Sequence, residues 1–438
     1  MTNCNREPIR FPRCKGRLVE AAFAGGDITS NGGALLLREA DRRLGLTGQA
    51  AATLTDPRRR ASCRHTLVSM VRQRVYALAL GYEDLNDHDE LRSDPALQTA
   101  VGADAPLAGA STLCRFEQRM GREDALRLHG ALVDQFIASF KRPPRRRLVL
   151  DFDATDDPAH GAQEGRFFHG YHDRHCFLPL YVFCGHRLLA AYLRPGNSDG
   201  ARHAWAVLAL LVKRLRRAWP GVKIVFRGDG GFCRPRLLSW CERNGVDHVV
   251  GIARNAALAA KARPLTDLAE LGHEAGGGKM RFFGCFRYAA GSWKRPRRVV
   301  VKAEHSAQGA NPRFIVTSLK GAPEWLYDKM YCARGDMENR IKEQQLDLFA
   351  DRTSCHDWWP NQYRLLLSAL AHTLLEAIRR IALAGSELAN AYVGTIRLKL
   401  LKVGAVVLRN TRRVRLLLSS SHPRQTLFHT AAARLRPG

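Results

Sequence analysis

The run Lys141-Arg-Pro-Pro-Arg-Arg-Arg147 constrains the fold of this chain more than any other stretch. Adjacent prolines cannot continue a helix, and five cationic side chains must stay in water, so the chain divides there. Before the break the pattern is helical. Residues 65–80 (HTLVSMVRQRVYALAL) repeat apolar side chains at helical spacing with Arg72 and Arg74 opposite, and a shorter helix over 111–119 has Ser111 as its candidate N-cap. After the break the rhythm changes to strands over 148–153, 178–184 and 188–193. A helix (201–218), a strand (222–226), a helix (235–244) and a strand (246–252) follow.

That order of elements is an α/β pattern and matches the ribonuclease H-like core. Past Gly251 the pattern breaks. Alternating segments at 281–288, 298–302 and 313–318, joined by Gly/Pro turns, read as a β-rich insertion. A long helix over 323–349 and another over 361–383 come next, and the tail from Ala389 reads as short strands and turns. The expected organisation is a helical region over 1–140 and the first part of an α/β core over 147–252. The β-rich insertion (253–322), the rest of the core (323–385) and a basic C-terminal region (386–438) complete it.

Charge selects the partner. With 69 Lys and Arg against 41 Asp and Glu, the 438 residues carry a formal +28, which points to a polyanion, either nucleic acid or an anionic membrane surface. The membrane reading fails. Residues 1–17 hold five cations and no apolar core, so they are not a secretion signal, and the most apolar stretch, 365–383, is interrupted by His372, Glu376, Arg379 and Arg380. Eleven scattered cysteines with no CxxC pair argue for reduced thiols and a cytoplasmic protein. The ten Lys and Arg between Ala389 and Gly438, with no acid among them, include Arg397, Lys399, Lys402, Arg409, Arg412, Arg413 and Arg415; one face of this tail is expected to lie along a duplex.

Three acids stand out against this basic background. Asp153 ends the first strand of the core, Asp229 follows the fourth, and Glu338 lies on the late helix. Carboxylates at the carboxyl edge of an α/β sheet are where open-sheet proteins place their sites. Three together repel unless a cation neutralises them, and oxygen-only ligands select Mg²⁺ or Mn²⁺. Two such ions suit in-line displacement at phosphorus. Tyr331, Arg334, Glu338, Lys342 and Gln345 share one helical face, a polar stripe able to ligate metal and grip phosphates. His169, His172, His175 and Cys176 have the composition of a metal run, but beside Arg166 and Arg174 they read as a structural or DNA-facing loop. Trp293 and Arg298, in Ser292-Trp-Lys-Arg-Pro-Arg-Arg298, have the composition of a stacking platform on DNA.

These blocks resemble the DDE transposases of bacterial insertion sequences, in the group marked by a Tyr-(2)-Arg-(3)-Glu-(6)-Lys signature, with the insertion-sequence thirteen-eighty family the most similar. The stretches that carry the resemblance are Leu150-DFDATDDPAHGAQEGRFFHGY-His172, Phe226-RGDGGFC-Arg234, Gly251-IARN-Ala256, Tyr331-CARGDMENRIKEQQLDLFADRTS-Cys355 and, upstream, Arg72-QRVYALALGYEDLNDHDEL-Arg92. The resemblance implies a ribonuclease H-like catalytic core with the β-rich insertion between the second acid and the glutamate. It implies Asp153, Asp229 and Glu338 as catalytic metal ligands holding two Mg²⁺, with Mn²⁺ able to substitute and Asp151 the alternative first acid. It further implies DNA contacts from Tyr331, Arg334 and Lys342, and an insertion-domain Trp, here Trp293, that holds a flipped base. The signature Lys falls at Gln345; Lys342, one turn earlier on the same face, is its candidate substitute.

The function expected from the sequence is therefore cut-and-paste transposition. It comprises metal-dependent cleavage at transposon ends and strand transfer into target DNA, by a homodimer that pairs two terminal inverted repeats. Two alternatives stay open: a nuclease of the same fold that cleaves without joining, and a catalytically silent DNA-binding protein derived from a transposase.

Overall fold

A computed structural model describes residues 7–59, 61 and 63–436; the expectations for Cys4 and Arg6 lie outside the described residues. The chain divides into two compact units, Met120–Ala369 in one and Met1–Arg119 with Leu370–Gly438 in the other.

The first of these is built on a nine-stranded mixed sheet. Its strands are β1 (Leu148–Ala154), β2 (Leu180–Cys184), β3 (Arg187–Tyr192), β4 (Ile224–Gly228), β5 (Asp247–Ile252), β6 (Met280–Tyr288), β7 (Arg297–Ser306) and β8 (Arg313–Thr317), with Gly309–Ala310 pairing onto β7. The order is β6-β7-β8-β5-β4-β1-β2-β3. β1, β4 and β5 run parallel, and the other pairings are antiparallel. Parallel neighbours need crossovers, and helices α1 (Ala204–Ala218) and α2 (Pro235–Arg243) supply them. On α1 the stripe Ala204, Leu208, Leu211, Val212 and Leu215 is buried at helical spacing, while Lys213, Arg216 and Arg217 face away from it. α2 opens on Pro235 and ends at Asn244 before Gly245, whose φ of 60° suits only a residue tolerant of the left-handed region.

The strands of the expected β-rich insertion are present, but β8 pairs with β5, so they extend the central sheet rather than fold apart from it. Alternation divides the side chains between two cores. Leu150, Phe152, Ile224 and Phe226 pack with α1 and α2 on one face. Val225, Val249, Val300 and Ile315 pack against Leu326 and Tyr327 on the other. That second face therefore also carries Asp151, Asp153, Arg227 and Asp229, two and four residues along the same strands. The histidine-rich loop expected between strands is a small three-stranded sheet of Asp157–Pro158, Phe167–His169 and Arg174–Phe177.

The second unit combines helices Ala34–Leu44, Leu67–Leu80 and Ala110–Gln118 with C-terminal strands Ala405–Arg409 and Val414–Leu418 and helix Gln425–Leu435. Three sequence expectations need correction here. Arg74 is buried, 2.7 Å from Glu117, because a paired guanidinium replaces the water its charge would need. The N-cap of Ala110–Gln118 is Gly109, and Ser111 lies inside the first turn. In the basic tail Arg397 donates to the carbonyls of Ala79 and Leu78, Lys402 to Asn31, and Arg409 to Gln98 and Pro95, so these three tie the unit together; Arg412, Arg413 and Arg415 are exposed. None of the described helices is long and apolar enough to cross a membrane.

Candidate active site

Parallel pairing of β1 and β4 sets Gly228 opposite Phe152, so the next residue of each strand, Asp229 and Asp153, emerges side by side at the carboxyl edge. Asp229 also caps a short turn, its Oδ1 accepting from the Gly231 amide at 2.9 Å. The Asp153 Oδ1 accepts from the Ala154 amide at 3.0 Å. The third acid comes from a helical run that is wide over Trp325–Tyr331, tight over Cys332–Arg334 and regular over Gly335–Lys342, here α3.

Arg334 stands between the acids. Its Nη1 is 3.5 Å from Asp153 Oδ2 and its Nη2 is 2.6 Å from Glu338 Oε1. Burial pushes the Asp153 carboxyl up to about 7; Arg334 opposes that rise, and the charges of Asp229 and Glu338 add to it. Burial alone would lower the Arg334 guanidinium, but Asp153 and Glu338 raise it, so it stays charged. Tyr331 completes the group. Its hydroxyl approaches Gly251 so closely that a Cβ there would come within 2.6 Å of it, and within 2.9 Å of the Gly230 amide nitrogen. Burial, and secondarily Asp229, raise the Tyr331 phenol. β5 therefore needs glycine at 251 for the strand end, the turn after Asp229 and Tyr331 to meet.

The donor set is all carboxylate oxygen, which suits Mg²⁺ or Mn²⁺. Among the described residues no group of three His, Cys, Asp or Glu side chains is drawn together tightly enough to hold an ion as it stands, the acidic trio included. The guanidinium of Arg334 takes the central place.

Other expected residues fall as follows. Asp151, the alternative first acid, is taken up by Arg227, which binds both of its oxygens. Lys342 is exposed one turn beyond Glu338, and Gln345 donates to the Asp156 carbonyl at 2.9 Å, joining the helix to the segment after β1. Trp293 is only 8% exposed; it packs on Tyr288 and lies under the Arg297 guanidinium, which Glu242 holds in turn. The stacking platform expected there is not on the surface. Arg298 donates to the Leu319 and Gly321 carbonyls and so braces a loop. His172 pairs with Asp156 at 3.4 Å and its ring lies tilted against that of His169; burial lowers its pKa. Sequence reasoning missed Arg227, although the alternation of Asp151 with Asp153 and of Arg227 with Asp229 carries the signal.

In the other unit a cavity of about 560 Å³ is lined by Arg58, Arg59, Arg64 and Arg92 together with Asp89 and Ser111. Asp56 holds Arg58 through both carboxylate oxygens. Arg59, Arg64 and Arg92 have no acidic partner among the described residues, so the lining is predominantly cationic.

Carboxylates at two adjacent parallel strand ends, facing a third on a helix, define an α/β protein with an acidic site at the edge of its sheet. The chain matches the family described as Transposase DDE domain group 1 over residues 11–438, and it belongs to that family. A solved structure described as the cryo-EM structure of piggyBac transposase synaptic complex with hairpin DNA is similar at 11% identity and a TM-score of 0.38, covering 92% of this chain and 85% of that one. No curated protein matches the chain.

Proposed function

We propose that the protein is a cut-and-paste DNA transposase of the insertion-sequence thirteen-eighty type, working in the bacterial cytoplasm. In this reading β1 to β5, in the order β3-β2-β1-β4-β5, are a ribonuclease H-like core, and Asp153, Asp229 and Glu338 are its catalytic acids. The observation that carries the reading is the emergence of Asp153 and Asp229 side by side at the strand ends, with Glu338 joined to Asp153 through Arg334.

The three carboxylates would hold two Mg²⁺, with Mn²⁺ able to substitute; bound there, such ions would supply activation of an attacking oxygen and stabilisation of the leaving one in displacement at phosphorus. The chain's own residues do the rest. Arg334 and Lys342 hold phosphates of the strand being cut, Arg334 exchanging a carboxylate partner for a phosphate, to which a guanidinium is equally suited. Tyr331, fixed against Gly251, sets the floor of the site. The arginine-lined cavity and the exposed Arg412, Arg413 and Arg415 grip duplex backbone near the terminal inverted repeats. Two copies pair two ends, because recombination requires both.

The test is incubation with linear DNA carrying the cognate ends, Mg²⁺ or Mn²⁺ and a target plasmid. Joined products are expected. Cleavage without joining would make the protein a nuclease, and intact DNA binding with no metal-dependent product would make it a silent DNA-binding protein.

A further inference from the structure

Arg227 and Asp151 occupy paired positions on the parallel strands β4 and β1 and point to the face where the Glu338 helix lies. They are 7% and 2% exposed. Arg227 gives Nε and Nη2 to the two oxygens of Asp151, the second at 2.8 Å. Its remaining nitrogen reaches across to the helix: Nη1 donates to the Met330 carbonyl, and Nη2 also approaches the Ala333 carbonyl at 3.4 Å. These two carbonyls lie where the run changes from its wide turn to its tight one. They flank Tyr331 and lead directly into Arg334.

We infer that Arg227, oriented by Asp151, is a positioning residue that latches the helix start to the strand pair and so sets Tyr331, Arg334 and Glu338 against Asp153 and Asp229. The inference rests on the reading of those three acids as the cutting site. The physical reason is directional. A planar guanidinium held at two points by a carboxylate has its remaining donors fixed in space, so the carbonyls that accept them are fixed as well. Apolar packing of Leu326 and Tyr327 holds the helix start to the sheet without direction; the latch adds donors of fixed direction at the point that leads into Arg334. Burial makes the pair costly to break from one side, since a lone Asp151 or Arg227 would be an unpaired charge. A buried ion pair that only filled space could be exchanged for apolar side chains without consequence for the helix.

Two variants separate these cases. Asp151→Leu with Arg227→Met replaces the pair by apolar volume and removes the donors. Arg227→Lys keeps the charge beside Asp151 but cannot reach the carboxylate and both carbonyls together. The first readout is amide hydrogen exchange of the free protein, without DNA or metal, so it reports on the latch even if the wild type cuts no DNA. Amides of residues 331–342 are expected to exchange about tenfold faster or more in both variants, while those of β1 and β4 keep their protection. The second readout is the split between binding and cutting. Single-turnover cleavage is expected to fall about 10²-fold, as for a misplacement of about 1 Å, with affinity for the DNA end unchanged within about twofold. Should the double variant lose protection throughout the sheet, Arg227→Lys decides. Wild-type exchange over 331–342 in Arg227→Lys, or wild-type cleavage by a folded double variant, would overturn the inference.

Discussion

The Nη2 of Arg334 lies 2.6 Å from Oε1 of Glu338, while Nη1 of the same guanidinium stands 3.5 Å from Asp153. One side chain thus supplies the positive charge for two acids of the proposed cutting site. On the proposed reading a divalent cation would compete with Arg334 for the same oxygens, and a DNA phosphate that drew Arg334 away would favour the cation. Arg334→Gln is expected to bind Mn²⁺ at least about tenfold more tightly than the wild type without DNA, since one unit charge about 4 Å from another is worth about 1 kcal/mol even in bulk water. Titration followed by the electron-spin resonance of free Mn²⁺ measures this. Weaker binding by the variant would show that Arg334 supports the ion rather than displacing it.

Lys342 tests the place of the lysine expected from the sequence resemblance. It is exposed on the helix that carries Glu338, whereas the side chain at 345 is spent on the Asp156 carbonyl. Lys342→Ala is expected to reduce the slope of log affinity against log salt for end DNA by about 1, the loss of one phosphate contact. Fluorescence anisotropy at several salt concentrations reads the slope, and an unchanged slope removes Lys342 from the interface.

Trp293 is expected to act on stability rather than on DNA. Trp293→Ala takes a large ring out of a packed core and should cost about 3–5 kcal/mol in urea unfolding, with DNA affinity unaltered at temperatures where the variant is folded. Weaker DNA binding with normal stability would restore the stacking role read from the sequence.

The strands around the acids were legible because alternation and Gly/Pro punctuation are local signals: 148–153 and 222–226 match β1 and β4 to within two residues. Other features were not legible, for reasons that lie mostly outside the local pattern. The strands at 280–317 join the central sheet because β8 finds β5, a pairing that no local pattern encodes. Trp293 sits among cations that look like a wet surface, yet Arg297 is neutralised by Glu242, which the chain brings from 55 residues away. Helix Gln425–Leu435 begins without a side-chain cap, which left the tail reading as strands and turns. Of the site, the three acids and Arg334 were legible as a set. The role of Asp151 was not, because only the fold reveals that Arg227 claims it.

His248 gives a pH test remote from the acids. It is buried on β5, both ring nitrogens lack a hydrogen-bond partner, and burial lowers its pKa from 6.5 to about 4. A pKa depressed in the folded state means that the fold favours the neutral ring. Its contribution is fully present above pH 6.5 and is lost as pH falls toward 4, by up to about 3 kcal/mol. His248→Leu removes the titrating group and sacrifices no hydrogen bond, so its stability should fall less than that of the wild type between pH 7 and pH 4.5 in chemical unfolding. Parallel curves for the two proteins would exclude His248 as a source of acid sensitivity.

Asp229 is the acid whose charge the proposed cleavage needs most directly. Asp229→Asn keeps the shape of the side chain and an oxygen to accept from the Gly231 amide, while it removes the charge and replaces the other oxygen by an NH₂ donor. Cleavage of DNA carrying the cognate ends, in Mg²⁺ or Mn²⁺, should fall by about 10³-fold or more, with affinity for those ends unchanged. Cleavage at the wild-type rate by this variant would contradict the assignment of Asp153, Asp229 and Glu338 as the acids that cut.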